Sequence, residues 1–264
     1  MSAVRARHPR GEAGVAPHLM RRIRLTLSYD GTEFHGWQVQ PGLRTIQGTL
    51  EAVVAEIEKR PVHVAGSGRT DAGVHALEQV AAFSMENPIP MYNLRKAMNR
   101  LLPPSIRIWT AEEVAAEFHP RFNAVAKTYE YRIERRESCP PFDWRYVYHH
   151  PYRLDEERMM ELAPMFEGER DFTAFAASDE RDAAGGSKVR TVFQSKLERH
   201  GDRLIFSVRG SGFLKHMVRN MIGTLLEAGK GNLDETGLRA LLSPAGRGGP
   251  TAPAKGLFLV NVAY

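Results

Sequence analysis

The sequence predicts an α+β fold with a mainly antiparallel sheet, and three observations carry that reading. Several short segments alternate apolar and polar residues with a period of two, as half-buried strands do. Two longer segments carry one apolar stripe at helical spacing. The strands tend to follow one another as hairpins, which favours antiparallel pairing over the parallel sheet of alternating βα units. Both halves of the chain repeat this mixture. They read as two similar α/β units flanked by helices, although no sequence repeat links them.

The first half begins with Ile23-Arg24-Leu25-Thr26-Leu27-Ser28-Tyr29, an alternating strand that Asp30-Gly31 ends in a turn. Residues 36–42 read as an irregular loop. A helix is expected over residues 45–59, because Ile46, Leu50, Val53, Val54 and Ile57 share one stripe and Thr45 suits an N-cap. A strand-like run over 61–65 leads into a glycine-rich loop at 66–76. A strand over 79–84, a helix over 92–101 closed by Pro103-Pro104, and a strand over 106–111 complete the unit.

In the second half, residues 128–134 place Tyr129, Tyr131 and Ile133 on one strand face. A helix over 154–167 contains Pro164, which should distort it. Residues 176–190 are polar and glycine-containing, the pattern of a mobile loop. Strands over 192–199 and 203–209 flank His200-Gly201-Asp202 as a hairpin. Phe213, Met217, Met221 and Leu225 extend one stripe along a helix over 213–228, with Gly229 as its C′ residue. A glycine- and proline-rich loop over 246–253 precedes a closing strand over 257–264. The expected division is a basic, disordered extension over 1–20, an N-terminal α/β domain over 21–117 and a C-terminal α/β domain over 118–264.

The chain has 264 residues and a formal net charge of +5. Six arginines and one glutamate within residues 1–24 account for all of that excess, and the remaining 240 residues balance at 30 basic against 30 acidic. A nucleic-acid surface on the body would therefore need local segregation of charge, not bulk excess. No apolar run approaches the roughly 18 residues of a membrane span, and the first twenty residues carry no apolar signal region. The single cysteine, Cys139, excludes an internal disulfide and suits a reducing, cytoplasmic setting. Paired cysteines and histidine–glutamate motifs are missing, so metal chemistry has no support.

The strongest chemical signal is Gly66-Ser67-Gly68-Arg69-Thr70-Asp71-Ala72-Gly73-Val74-His75-Ala76. Glycines allow sharp turns and close ligand approach. An Asp beside a permanent cation stays ionised, and an ionised, fixed Asp can act as a nucleophile. The loop lacks the Gly-Lys-Ser/Thr of a phosphate cradle. The alternative is a structural Arg–Asp pair in a tight turn. A second cluster, Gly210-Ser211-Gly212-Phe213-Leu214-Lys215-His216-Met217-Val218-Arg219-Asn220, puts cations four apart at a helix start, either as a phosphate site or as an exposed polar face. Phe118-His119-Pro120-Arg121-Phe122 and Lys127-Thr128-Tyr129 interleave aromatics with cations, which suits base stacking with phosphate contact.

Together these segments resemble the TruA family of tRNA pseudouridine synthases, over about residues 23–264. The resemblance rests on Tyr29-Asp30-Gly31-Thr32, Phe34-His35-Gly36-Trp37-Gln38, Thr45-Ile46-Gln47-Gly48, Gly68 to Ala76, Phe118-His119-x-Arg121-Phe122, Lys127-x-Tyr129-x-Tyr131, His216 to Asn220 and Lys255-Gly256-Leu257. Departures are Ser67 for a commoner Ala, Pro120 for Ala, and the N-terminal extension. The resemblance implies a cleft between the two units and isomerisation of uridine to pseudouridine in the tRNA anticodon stem-loop, at positions 38–40. It implies no cofactor and no metal. It makes Asp71 the essential carboxylate, as nucleophile at C1′ or as base toward a glycal, and pairs Arg69 with it. Tyr129 would stack on the target base, and Arg219, His216, Lys215, Arg121, Gly68 and His75 would hold substrate. The family also implies a homodimer with RNA lying across both subunits.

Deleting residues 1–18 is expected to leave activity on RNA largely unchanged. A large loss, with a shallower dependence of binding on salt, would instead make this segment a phosphate-binding arm.

Overall fold

The alternating segments assemble into a single sheet. In the computed structural model, which describes residues 20–177, 186–243 and 250–264, the strands are β1 (Arg21–Tyr29), β2 (Ala65–Gly66), β3 (His75–Met85), β4 (Ile106–Val114), β5 (Ala126–Glu134), β6 (Tyr148–His149), β7 (Gly168–Asp171), β8 (Val189–His200), β9 (Arg203–Gly210) and β10 (Leu257–Ala263). The helices are α1 (Ile46–Glu58), α2 (Met91–Leu101), α3 (Glu156–Leu162), α4 (Met217–Gly229) and α5 (Glu235–Leu241). The sheet order is β4-β1-β3-β10-β5-β9-β8-β7, with β2 on β3 and β6 on β5. Pairing is antiparallel throughout, except for β3 with β10 and β5 with β6. The α+β reading with a mainly antiparallel sheet holds.

The last strand joins the two halves. β10 pairs with β5 over Leu257–Ala263 on one side. On the other it meets β3 only at Phe258↔His75 and Leu259↔Ala76. Further along, β3 turns to β2 instead, with Ala65↔Ala82 and Gly66↔Ala81. The sheet therefore forks, and the glycine-rich loop runs from β2 to β3 at the fork. One continuous core lies behind it. Ile23, Leu25, Leu27 and Tyr29 of β1, Ile46, Leu50 and Val54 of α1, and Leu94 and Met98 of α2 are buried. In the second half Tyr131, Ile133, Phe206, Phe166, Met221 and Leu225 join the same cluster.

Local chemistry explains most of the boundaries. Thr45 caps α1, its side chain accepting from the Gly48 amide. The β8–β9 turn is tight, with Gly201 at φ 59°. The helix expected over 154–167 is shorter: α3 ends at Leu162 and passes into a 3₁₀ turn, Ala163–Phe166, at Pro164. The run expected over 61–65 contributes only Ala65 to a strand. The helix expected from 213 begins at Met217, because His216 takes a left-handed conformation (φ 61°) just before it. Gly229 is still helical, and the residue with positive φ past the end is Gly231 (φ 82°). Gly229 is closely packed instead: a Cβ there would sit 2.5 Å from Met159 Sδ, which would have to shift. Helix α5, capped by Asp234 on the Gly237 amide, and the short strands β6 and β7 were too brief for periodicity to reveal. The expected extension over 1–20 (all but Met20), the centre of the 176–190 loop and part of the 246–253 loop lie outside the described residues. No helix among the described residues is long and apolar enough to cross a membrane.

Gly223 tests the packing of α4. A Cβ there would lie 1.8 Å from the Pro250 carbonyl oxygen, which is backbone and cannot yield cheaply. In an open helix Gly→Ala gains about 1 kcal/mol; overpacking loses about 1–3 kcal/mol. Gly223→Ala is expected to destabilise, read as a lower midpoint in chemical denaturation.

Candidate active site

The glycine-rich loop is rigidly supported by buried polar groups. Ser67 donates its hydroxyl to Gln79 Oε1 at 2.5 Å and its amide to the Val80 carbonyl at 2.8 Å. Gln79 Nε2 donates to the Gly68 carbonyl at 3.1 Å and to Tyr29 Oη at 3.3 Å. Tyr29 Oη lies 2.8 Å from Thr70 Oγ1, and the Trp37 amide donates to the Thr70 carbonyl at 3.0 Å. Ser67, Gln79, Tyr29 and Thr70 are all buried, and each is hydrogen-bonded, as buried polar groups must be. Burial pushes the Tyr29 phenol up to about 12. Glycine is needed where backbones cross. A Cβ on Gly36 (φ 86°) would sit 2.6 Å from the Thr70 carbonyl, and one on Gly66 would strike the Trp37 ring at 2.5 Å.

This scaffold presents Asp71 with its side chain about a quarter exposed. Its partner is Arg219 of α4, whose Nη1 donates to Asp71 Oδ2 at 2.9 Å across 148 residues of sequence. Arg219 Nε donates to the Ala252 carbonyl at 2.7 Å, so the guanidinium is held at two points. His216 Nε2 lies 3.5 Å from the same Asp71 oxygen. Burial lowers the His216 imidazole below its ordinary value; Asp71 opposes that shift, and Arg219 and Lys215 add to it.

The expected Arg69–Asp71 pair is not formed. Arg69 is exposed and makes no hydrogen bond or ion pair among the described residues. The cation on Asp71 comes from the second half of the chain. Sequence alone held a clue, since Arg219 already stood in the second cationic cluster, but its contact with Asp71 depends on tertiary folding. Lys215 and Arg219 do not share a helix face either, because α4 starts after Lys215.

Tyr129 of β5 is buried, packs edge-on against Phe213 with centroids 5.1 Å apart, and makes no hydrogen bond among the described residues. Burial first, then the nearby Tyr29 and Asp71, push its phenol well above the ordinary range. Asp71 is therefore near enough to act on that phenol. Gly68 and Arg121 lie along the same edge: Gly68 approaches Lys127, on whose ammonium Arg121 also acts. His75, expected to hold substrate, is closed off from solvent. It is buried; its Nδ1 accepts from the Gly31 amide at 3.1 Å, its Nε2 lies 3.1 Å from the Arg145 carbonyl, and its ring stacks on Phe258 at 4.7 Å. It braces the far end of the loop, and burial lowers its affinity for a proton.

A family model described as tRNA pseudouridine synthase matches residues 26–123 and 162–264. This chain belongs to the tRNA pseudouridine synthase family. Among its relatives, a protein named tRNA pseudouridine synthase A from Solibacter usitatus is 69% identical over 245 residues, covering 93% of this chain and all of the relative. Proteins of the same name from Brevibacillus brevis and Lacticaseibacillus casei are each 43% identical over 93% of this chain and 100% of their own lengths. A solved Cbf5-Nop10-Gar1 complex aligns with TM-score 0.35 and 13% identity, over 89% of this chain and 57% of that one. Asp71, Arg219 and His216 meet at the fork, and Tyr129 lies on the neighbouring strand β5.

The electrostatics of that group are measurable. By NMR titration His216 is expected to titrate below an ordinary histidine. Asp71→Asn removes the one charge that favours its proton, so it should titrate lower still. Arg219→Gln should move it up. The opposite ordering would contradict the arrangement.

Proposed function

We propose that this protein isomerises uridine to pseudouridine in the anticodon stem-loop of tRNA, with Asp71 as the essential carboxylate. The observation that carries this reading is the Asp71–Arg219 pair at 2.9 Å, with Tyr129 on the neighbouring strand β5, its ring held edge-on by Phe213 and its hydroxyl without a hydrogen bond among the described residues. The pairing fixes the carboxylate against a cation, and partial exposure leaves it open to a substrate. Family membership supplies the reaction class, and the relatives' names supply tRNA.

The reaction conserves atoms and electrons: the C1′–N1 bond breaks, the uracil turns, C5 bonds to C1′ and gives up its proton, and the freed N1 takes one up. In this reading Asp71 acts on the sugar, as nucleophile at C1′ or as base toward a glycal. The target nucleotide must first leave its stack, which costs a few kcal/mol. Tyr129 offers the flipped base a ring to lie against. Its raised phenol stays neutral at physiological pH, so it stacks and hydrogen-bonds; it does not stand there as a phenolate. Arg69, exposed at the rim of the loop, suits a phosphate of the flipped nucleotide. His216, Lys215 and Arg121 suit the neighbouring backbone. We place the enzyme in the cytoplasm as a homodimer, whose second subunit extends the basic surface available to RNA.

Asp71→Asn should abolish pseudouridine formation on an unmodified tRNA transcript, mapped by carbodiimide-stop sequencing, while tRNA binding changes little. Turnover near wild type would remove Asp71 from this role.

A further inference from the structure

Lys127 has an environment that a structural lysine does not need. It lies on β5 two residues before Tyr129, on the same strand face. Its Nζ donates to the Ser67 carbonyl at 2.6 Å, a bond that reaches across the fork from the second half of the sheet to the start of the loop carrying Asp71. Gly68 makes room for it: a Cβ there would sit 3.0 Å from the ammonium. No carboxylate pairs with Lys127 among the described residues. Burial, with Arg121 nearby, brings the ammonium down to about 8. A partly buried cation without a counter-charge opposes folding, and a neutral side chain would fill the space without that penalty.

We propose that Lys127 is a positioning residue. By holding the Ser67 carbonyl it sets the loop, and with it Asp71, at a fixed distance from Tyr129 on its own strand. The other grips on this end of the loop, from Gln79 and Val80, come from β3. Lys127 supplies the matching grip from across the fork. The inference rests on the reading of Asp71 as the reacting carboxylate of a pseudouridine synthase.

The side chains around Nζ make its titration simple to interpret. Arg121 is the charged group acting on it. Across the sheet its register partners are Gly210 on β9 and Val262 on β10, and the loop presents Ser67 and Gly68; none of these four titrates. As pH rises past about 8 the ammonium loses its proton and its grip on the carbonyl weakens.

The test compares Lys127→Met and Lys127→Gln with wild type on an unmodified tRNA transcript. It reads the single-turnover rate of pseudouridine formation, the Kd for tRNA, the melting temperature, and the pH dependence of the rate. Lys127→Met should lower the rate on the order of 100-fold, the scale of a misplacement of about 1 Å, with Kd changed less than about threefold. The wild-type rate should fall above pH about 8, and the Met variant should lack that fall. Lys127→Gln keeps a donor and should recover part of the rate; it carries the test if the Met variant does not fold. A raised Kd with an unchanged rate would make Lys127 a phosphate contact and overturn the proposal. So would an unchanged rate, or an alkaline fall that persists in the variants. A wild type that turns over normally beside an equally active variant overturns this inference alone. A wild type that forms no pseudouridine overturns the underlying reading, and this inference with it.

Discussion

The ion pair between Asp71 and Arg219 joins parts of the chain that nothing local would bring together. One partner stands on a loop between two strands of the first half, and the other on a helix of the second. Such a contact forms only if both halves share one framework. The framework is the central β3–β10–β5 arrangement, in which a strand from the end of the order is inserted between strands from either half. The short β3–β10 pairing then opens into the fork, and the loop occupies the opening. The opening, the loop within it and the pairing of carboxylate with guanidinium all follow from that one insertion.

The loop is held by polar groups, and that choice has a physical logic. An apolar filling beneath it would leave its backbone amides and carbonyls without partners, at roughly 1–3 kcal/mol for each buried unsatisfied group. Gln79 answers several at once: its amide donates to the Gly68 carbonyl and the Tyr29 hydroxyl, and its oxygen accepts from Ser67 and Val80. Thr70 and Trp37 close the same network from the other side. The result is an irregular turn in which the Ser67 amide and the Gly68 and Thr70 carbonyls all find partners.

Much of this was legible in the residues. Alternation in β1, β5 and β9 and the stripes of α1 and α4 reflect burial on one face, which sequence records directly. Asp71, Tyr129 and the cluster around Arg219 stood out because chemically able side chains stand there among glycines, cations and aromatics. What could not be read was partnership. Arg69 is two residues from Asp71, but adjacency in sequence does not set side-chain direction, and the carboxylate is paired from α4. His75 looked like a cleft residue, yet its buried position depends on Phe258 and Arg145, far away in the chain. The start of α4 was misplaced because His216 adopts a left-handed backbone that non-glycine residues rarely take. Gly229 imitated a helix terminator while serving to admit Met159.

The placement of β10 also has a bearing on how the chain acquires its shape. Every other element precedes it in sequence, so during synthesis the flanking strands emerge first and wait with unpaired edges facing each other. Exposed strand edges invite pairing with other chains, and sheets completed by distant segments form slowly. The nascent protein would therefore pass through an interval in which two half-sheets exist without a seam. Arg219 would have no fixed position relative to Asp71 during that interval. Closure of the sheet and assembly of the site are then the same event, and a ribosome-bound chain short of β10 would be a substrate for chaperones before it could be a catalyst.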